Sequence, residues 1–259
     1  MKRDILVSII ITNYNKEKFI YKTLKSAINL DYNNKEIIVF DDSSDDKSLE
    51  IIKKFKNIKL LKNNSKKLKS GPLNQINAII KAFEISKGEY IFLLDGDDIF
   101  KKNKIKKILY YFSKNKNIDI IQDKPYLNKE NKVLNLKIKK HLFSIWPSIY
   151  PTSCIALKRE FFVNFLKYVQ KDNFKNLEID SRIVMYSYLL KKLKILKSSY
   201  TIYNLDKKGI TSKYSKYSTN WWKKRKEAFD YLYFLNKKLD YKFKKGPDYF
   251  FTQIINKYI

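Results

Sequence analysis

The sequence predicts an α/β protein: a mostly parallel, mixed sheet flanked by helices, followed by a helical, basic C-terminal extension. Three observations predict it. Apolar, β-branched runs alternate with helical stripes through the first half of the chain. Three of those runs end in polar or acidic clusters at what would be the same sheet edge. The last 69 residues are aromatic and carry 18 Lys/Arg against 5 Asp/Glu.

Taken in order, Val7 to Thr12 is a β-branched strand ending in Thr12-Asn13-Tyr14-Asn15. Lys16 to Leu30 carries Phe19, Ile20, Thr23, Leu24, Ala27 and Ile28 at helical spacing. Glu36 to Phe40 is the second strand, and the polar cluster from Asp41 to Asp46 caps a helix over 47–55. Ile58 to Leu61 is a short strand and 63–71 a lysine-rich loop. Pro72 to Ser86 reads as a helix through Ile76, Ile79, Ile80 and Phe83, stopped near Gly88. The strand 90–95 runs into Asp95-Gly-Asp-Asp98, Ile105 to Phe112 marks the next helix, and Ile118 to Gln122 another strand. From Lys124 the periodicity weakens. A turn-rich stretch leads to a short strand over 154–157, then to helices at 159–168 and 177–190. The segment from Ser218 to Asp240 is helical and aromatic, and no internal repeat is present.

Composition narrows the function. At 259 residues and 44% apolar content the chain can bury a full core, with no apolar run near the roughly 18–20 residues of a membrane span. Met1-Lys-Arg-Asp4 runs directly into a strand-like segment, and no secretory leader is expected. One cysteine, Cys154, allows no internal disulfide, fits a reducing cytoplasm, and reads as a buried small hydrophobe. One histidine, His141, excludes His-rich metal sites, argues against a Ser-His-Asp hydrolase and reads as structural. The net charge of +29 attracts anions, without choosing among phosphates, nucleic acid and acidic lipid.

The chemistry concentrates at Asp95, Asp97 and Asp98. Like charges repel, so three carboxylates closing an apolar strand need a cation or a cap. In isolation the string would be an acidic turn capping the next helix. At a sheet edge it suits Mg²⁺ or Mn²⁺ shared between carboxylate and substrate phosphate. Neither Gly-x-Gly-x-x-Gly nor a Walker-type loop follows the first strand, so a nucleotide phosphate would be met by metal rather than by a glycine cradle.

Three segments, in order and at the usual separations, give the chain a resemblance to a known family: Val7-Ser-Ile-Ile-Ile-Thr-Asn-Tyr-Asn15, Phe40-Asp-Asp-Ser-Ser-Asp45 and Gly88-Glu-Tyr-Ile-Phe-Leu-Leu-Asp-Gly-Asp-Asp98. It resembles the inverting family-2 nucleotide-sugar glycosyltransferases, well over residues 5–115 and loosely over 150–205. The resemblance implies a Rossmann-like, type A domain over 1–205, with a nucleotide-binding half (1–115) and an acceptor half (116–205). Residues 206–259 are then the basic, aromatic helical extension. It implies a hexosyl- or N-acetylhexosaminyltransferase of bacterial capsule or lipooligosaccharide synthesis, with a nucleotide-sugar donor, UDP-linked by default. The acceptor is a glycan or lipid-linked hydroxyl, the cofactor is Mn²⁺ or Mg²⁺, and the place of work is cytoplasmic or peripheral on the inner face of the membrane.

Carried onto this chain, Thr12 and Tyr14 wall the nucleoside, Asp42 accepts from the base with Asp41 beside it, and Asn74 or Asn77 lies near the nucleotide. The Arg expected near there is absent, which leaves GDP and dTDP open as well as UDP. Asp95 contacts ribose and Asp97 coordinates the metal, while Asp98 either supports them or caps the next helix. Relatives place the general base in a Glu-Asp pair opening a late helix. Here one residue separates Glu178 from Asp180, and Asp180 is the first candidate, Glu178 the second. Where relatives carry Tyr-Arg-x-His, this chain has Tyr203-Asn-Leu-Asp-Lys-Lys-Gly209, so Lys207 and Lys208 are the phosphate candidates or solvated surface. Trp221-Trp222-Lys-Lys-Arg-Lys226 suits an anionic membrane surface or ordinary helix packing. The alternatives to a transferase are a nucleotidyltransferase, whose usual loop is missing, a basic nucleic-acid- or membrane-binding protein, and a silent homologue. No nucleic-acid partner is expected, because the acids cluster where the ligand belongs.

Overall fold

The computed structural model of the protein describes residues 4–64, 68–136, 147–170, 172–205, 209, 214–241 and 245–259. In chain order the elements are β1 (Val7–Asn13), α1 (Ile20–Ile28), β2 (Lys35–Asp41), α2 (Ser48–Lys53), β3 (Lys59–Lys62), α3 (Gly71–Glu84), β4 (Tyr90–Asp95), β5 (Ile99–Phe100) and α4 (Lys104–Lys114). There follow β6 (Ile120–Gln122), β7 (Pro125–Leu127), β8 (Lys132–Val133), a 3₁₀ turn (Thr152–Cys154), β9 (Ile155–Lys158), α5 (Arg159–Leu166), α6 (Ile179–Leu189), β10 (Leu193–Ile195), β11 (Thr201–Tyr203), α7 (Thr219–Lys238) and α8 (Pro247–Ile255).

The central sheet has seven strands in the order β10-β6-β9-β4-β1-β2-β3. Only β9 runs antiparallel to its neighbours, β4 and β6, so the expected mixed, mostly parallel sheet is what forms. Its strands read as continuous apolar runs because both faces are covered. Along β1, Ile10 enters the core beneath α3, α5, α6 and α7, while Ile9 and Ile11 enter the core beneath α1, α2 and α4. Phe92 and Leu94 of β4 divide from Ile91 and Leu93 in the same way.

The chain winds outward from β1 through β2 to β3 and then returns to add β4 on the other side of β1. The carboxyl ends of β1 and β4 therefore flank a topological switch point, where the connections diverge and leave a crevice for ligand. Gly88 lets β4 start hard against β1: a Cβ there would stand 2.3 Å from the Ser8 backbone nitrogen.

The second half differs from expectation in detail. Cys154 closes a 3₁₀ turn, and the strand after it is Ile155–Lys158. A second, four-stranded sheet, β5-β11-β7-β8, lies beyond the acidic end of β4. Its strands of two or three residues are too short for a period-two pattern to register. The helix anticipated from Lys16 begins at Ile20, and residues 16–19 form the turn that carries Lys16 to the sheet edge. Ser218 caps α7, its Oγ accepting from the Trp221 N–H at 3.2 Å. Ala228, Tyr231, Leu232 and Leu235 of α7 pack into the same core as α6.

Candidate active site

Three strand ends build one side of the site. At the end of β4, Asp95 accepts from Thr12 Oγ1 at 3.0 Å and from Gln75 Nε2 of α3 at 2.8 Å. Burial and the charge of Asp97 push its carboxyl up to about 6, against those hydrogen bonds and the nearby Lys16. Gly96 follows because a Cβ would come 2.8 Å from the Asn13 side-chain oxygen. Asp97 accepts from the Lys16 ammonium at 2.6 Å. Asp98 is fully buried, accepting from Ser153 Oγ at 2.6 Å and from the Asn204 backbone N–H at 2.9 Å. Burial, then Asp97 and Asp95, hold its carboxyl well above the usual range.

The end of β2 is tied to the end of β1. Asn13 Nδ2 donates to Asp41 at 2.7 Å, and Asp41 also accepts from the Ser44 N–H and hydroxyl at 2.9 and 2.7 Å. Asp42 accepts from Asn63 Nδ2 at 2.6 Å. Asn15 and Ser43 take positive φ of 52° and 53°, the sharp turns that bring both loops back over the edge. Tyr14 stands between them with 47% of its surface exposed.

The opposite side comes from α6. Nine of its eleven residues are buried, and Asp180 in its first turn keeps partial exposure. Burial and then Glu178 push the Asp180 carboxyl up to about 7, with a further contribution from Asp95. The field at a helix start is worth about 0.3–1 kcal/mol to a carboxylate, too little to reverse that rise. Glu178 itself is buried and ion-paired to Lys224 of α7 at 2.5 Å.

Arg182 holds this side in place. Completely buried, it donates to the carbonyls of Leu177, Val169, Gln170, Asn173 and Phe174 at 2.5–3.0 Å. Burial lowers its pKa to about 10, and the guanidinium lies against the rings of Phe174 and Tyr231. Behind Asp98, Lys104 and Asp123 form a fully buried pair at 2.8 Å, with the Lys104 ammonium also donating to the Ser153 carbonyl and Thr201 Oγ1.

The fold thus gathers Thr12, Tyr14, Asp41, Asp42, Asp95, Asp97 and Asp98 at one edge and sets Asp180 within electrostatic reach of Asp95. Asn74 closes the loop before α3, its amide bonded to both backbone groups of Leu68, and Asn77 lies half-buried on the same helix. Lys207, Lys208 and His141 lie outside the described residues. Cys154 is buried, and burial raises its thiol pKa, as expected of a small apolar filler. Sequence reading missed Lys16, Gln75, Ser153, Arg182, Asn204 and Lys224. Asn204 and Lys224 lie in segments singled out for other reasons, and Gln75 left a trace as a polar residue between the apolar positions of its helix. A shallow depression lined by Asp119, Lys158, Tyr168 and Tyr186 lies at the opposite edge of the sheet.

The donor set fits a hard divalent cation. Asp97 already receives a cation, the Lys16 ammonium, at a carboxylate-rich edge. Among the described residues no three acidic, His or Cys side chains converge into a self-sufficient cage. A metal held through Asp97 would complete its shell with water and substrate phosphate, the usual habit of Mg²⁺.

Comparison with known proteins agrees with this geometry. Over 113 residues the chain is 41% identical to the Escherichia coli UDP-Glc:alpha-D-GlcNAc-diphosphoundecaprenol beta-1,3-glucosyltransferase WfaP, a match covering 43% of each chain. It is 28% identical over 128 residues to the Staphylococcus epidermidis poly-beta-1,6-N-acetyl-D-glucosamine synthase, covering 49% of this chain and 30% of that one. The chain thus spans less than half the length of these relatives. The fold is shared with S. aureus TarS 1–349, solved with UDP-GlcNAc (TM-score 0.63, 17% identity, 87% of this chain and 66% of that one). It is shared equally with the mannosyltransferase PcManGT from Pyrobaculum calidifontis, solved with GDP-Man and Mn²⁺ (TM-score 0.63, 14% identity, 96% and 68%). The family model for glycosyl transferase family 2 matches residues 8–178, most of the chain and the whole strand-end side of the cleft up to the start of α6, and the chain belongs to that family as a transferase with the type A fold.

Proposed function

We propose that the chain is a metal-dependent, inverting glycosyltransferase. Its donor is a nucleoside-diphosphate sugar, UDP-linked by default, and its acceptor a hydroxyl of a glycan or lipid-linked precursor of a bacterial capsule or lipooligosaccharide. The observation that carries this reading is the convergence of the acidic end of β4 with Asp180, close enough for the charge of Asp95 to raise the Asp180 carboxyl. The similarity to enzymes named for UDP-glucose transfer and for poly-N-acetylglucosamine synthesis supports the substrate class.

In this reading Tyr14 stacks on the base, Asp42 accepts from it, and Asp41, fastened by Asn13 and Ser44, keeps that wall rigid. Asp95, oriented by Thr12 and Gln75, meets the ribose. Asn74 shapes the loop over the nucleotide, with Asn77 on the same helix. Asp97 would hold the Mn²⁺ or Mg²⁺, which would supply positive charge to offset the negative charge developing on the diphosphate. Lys16 already lies on Asp97, and its ammonium would be within reach of a diphosphate at that edge. Lys207 and Lys208 are further candidates for that contact. Asp98 has the supporting role, fastening the strand end through Ser153 and Asn204.

Asp180 is the general base. Its carboxyl, raised to about 7, is matched to taking a proton near neutrality. Glu178 is the weaker candidate, since its carboxylate is occupied by Lys224. Asp180 takes the acceptor hydroxyl proton as the new oxygen–carbon bond forms on one face of the anomeric centre. The bond to the diphosphate breaks on the other face, and its electron pair leaves with the phosphate oxygen.

The test is thermal stabilisation by UDP, GDP and dTDP and their sugars, with Mn²⁺ and with EDTA, on wild type and Asp97→Ala. A ligand that binds only the folded state raises the melting temperature by mass action. A rise for one nucleotide that needs both Mn²⁺ and Asp97 is expected. No rise with any nucleotide in the presence of metal would overturn the reading.

A further inference from the structure

The outer face of the α7–α8 pair has no part in the chemistry above, yet it is apolar where a free surface is normally polar. Trp222 of α7 lies 6.0 Å, ring to ring, from Phe251 of α8, and Trp221 and Tyr217 continue the aromatic row. Phe250, Phe251, Ile254 and Tyr258 share one side of α8 and its extension, exposed at 53%, 59%, 54% and 83%. The opposite side of α8 supplies the buried Thr252. A contiguous exposed patch of this kind marks an interaction surface rather than ordinary scatter.

Charge selects the partner. Lys216, Lys223 and Lys257, adjacent in sequence to Tyr217, Trp222 and Tyr258, are exposed, and Lys216 lies over the Tyr217 ring. Of the acids on the two helices, Asp248 pairs with Arg225 and Asp230 with Lys226, while Glu227 turns inward to accept from Asn176. Aromatic rings bordered by lysines that have no acidic partner among the described residues match the interface of an anionic bilayer, where rings enter the headgroup region and ammonium groups meet phosphate.

The position matters as much as the composition. Lys224, in the same turn of α7 as Trp221 and Trp222, is the residue that clamps Glu178 beside Asp180. We propose that the α7–α8 face docks the enzyme on an anionic phospholipid bilayer, setting the base side of the cleft toward an acceptor carried by a lipid in that bilayer. The acceptor clause rests on the transferase reading. The docking does not.

The experiment is flotation of the chain with vesicles of phosphatidylcholine alone or mixed with phosphatidylglycerol, at low and high salt. It compares wild type with Phe251→Glu/Ile254→Glu and with Lys223→Glu/Lys257→Glu, and nucleotide-dependent stabilisation is followed in parallel. Because the substituted side chains are exposed, the variants should fold. The expected result is binding that needs phosphatidylglycerol, weakens with salt, and falls about tenfold or more in both variants while nucleotide stabilisation is unchanged. Absence of binding to either vesicle, or equal binding by wild type and variants, overturns the proposal. So does a dimer in light scattering that the same substitutions dissolve, since the face would then belong to a second copy. Docking without any nucleotide effect would keep this surface and remove the transferase reading.

Discussion

The two sides of the cleft are built in opposite ways. On the strand-end side the carboxylates lie at or just past the ends of apolar strands, and two of them are tied to the end of the neighbouring strand: Asp95 by Thr12 and Asp41 by Asn13. On the α6 side Asp180 is held by groups remote from it in the chain or buried beneath it. Arg182 gathers five carbonyls of the preceding loop, and Lys224 reaches across from α7 to Glu178. The first side is a consequence of sheet geometry, since parallel strands deliver their ends to one edge whatever the loops do. The second exists only while a buried cation and an interhelical ion pair hold a loop and a helix start in place.

The sharpest way to separate the two sides is to remove one carboxylate from each. Asp97→Ala should lower kcat/KM by about a thousandfold, the several kcal/mol expected of a lost metal ligand, and should also abolish Mn²⁺-dependent stabilisation by nucleotide. Asp180→Asn should cost turnover about as much, within the roughly 10²–10⁴-fold range of a general base, and leave that stabilisation intact. Loss of nucleotide binding in Asp180→Asn, followed calorimetrically, would erase the distinction.

Arg182→Met tests the difference in construction. It leaves five carbonyls without their donor and should cost about 3–5 kcal/mol, the range for losing one partner from a buried charged network. The melting temperature should fall by about 10 °C. Below the new transition, nucleotide binding at the strand ends should persist while turnover drops. If both fall together, the two sides are one cooperative unit.

Acidity sharpens the comparison further. With Asp180 titrating at about 7 in the folded chain, kcat/KM should rise about tenfold per pH unit below that value and level off above it. Lys224 lowers this value and Glu178 raises it, so Lys224→Met should move the limb to higher pH and Glu178→Gln to lower. Stability follows the opposite sense. The folded carboxyl keeps its proton from its ordinary 3.8 up to about 7, so its contribution to the fold is full below the lower value and lost as pH rises through the upper one. A profile unmoved by either substitution would take the base role away from Asp180.

The smallest effect expected is at Lys16. With its ammonium 2.6 Å from Asp97, it would compete with a divalent ion for that carboxylate. Lys16→Met should tighten Mn²⁺ binding in the absence of nucleotide by a few-fold, about the 1 kcal/mol of a partly exposed ion pair, and weaken binding of the diphosphate. Titration of Mn²⁺ by electron paramagnetic resonance would read the first effect, and unchanged affinity would place Lys16 outside the metal's contest for Asp97.

The sequence by itself determined the α/β class, the mostly parallel sheet, and the positions of Thr12, Asp41, Asp42, Asp95, Asp97 and Asp98 at one edge. These are local properties: a continuous apolar run, a stripe of period 3.6 and a polar end to each run require only the residues beside them. The tertiary structure alone decided that β9 enters antiparallel between β4 and β6, and that residues of two or three each form a second sheet. It alone decided that Gln75 rather than its neighbour Asn74 meets Asp95, and that Ser153 and Asn204 fasten Asp98. It placed Arg182 and Lys224 behind the α6 carboxylates as well. A lysine or arginine looks the same in a sequence whether solvated or buried, and in a chain with 55 of them nothing local marks the few whose charge the fold encloses. Enclosure depends on what packs above the side chain, and that is settled by contacts between segments dozens of residues apart.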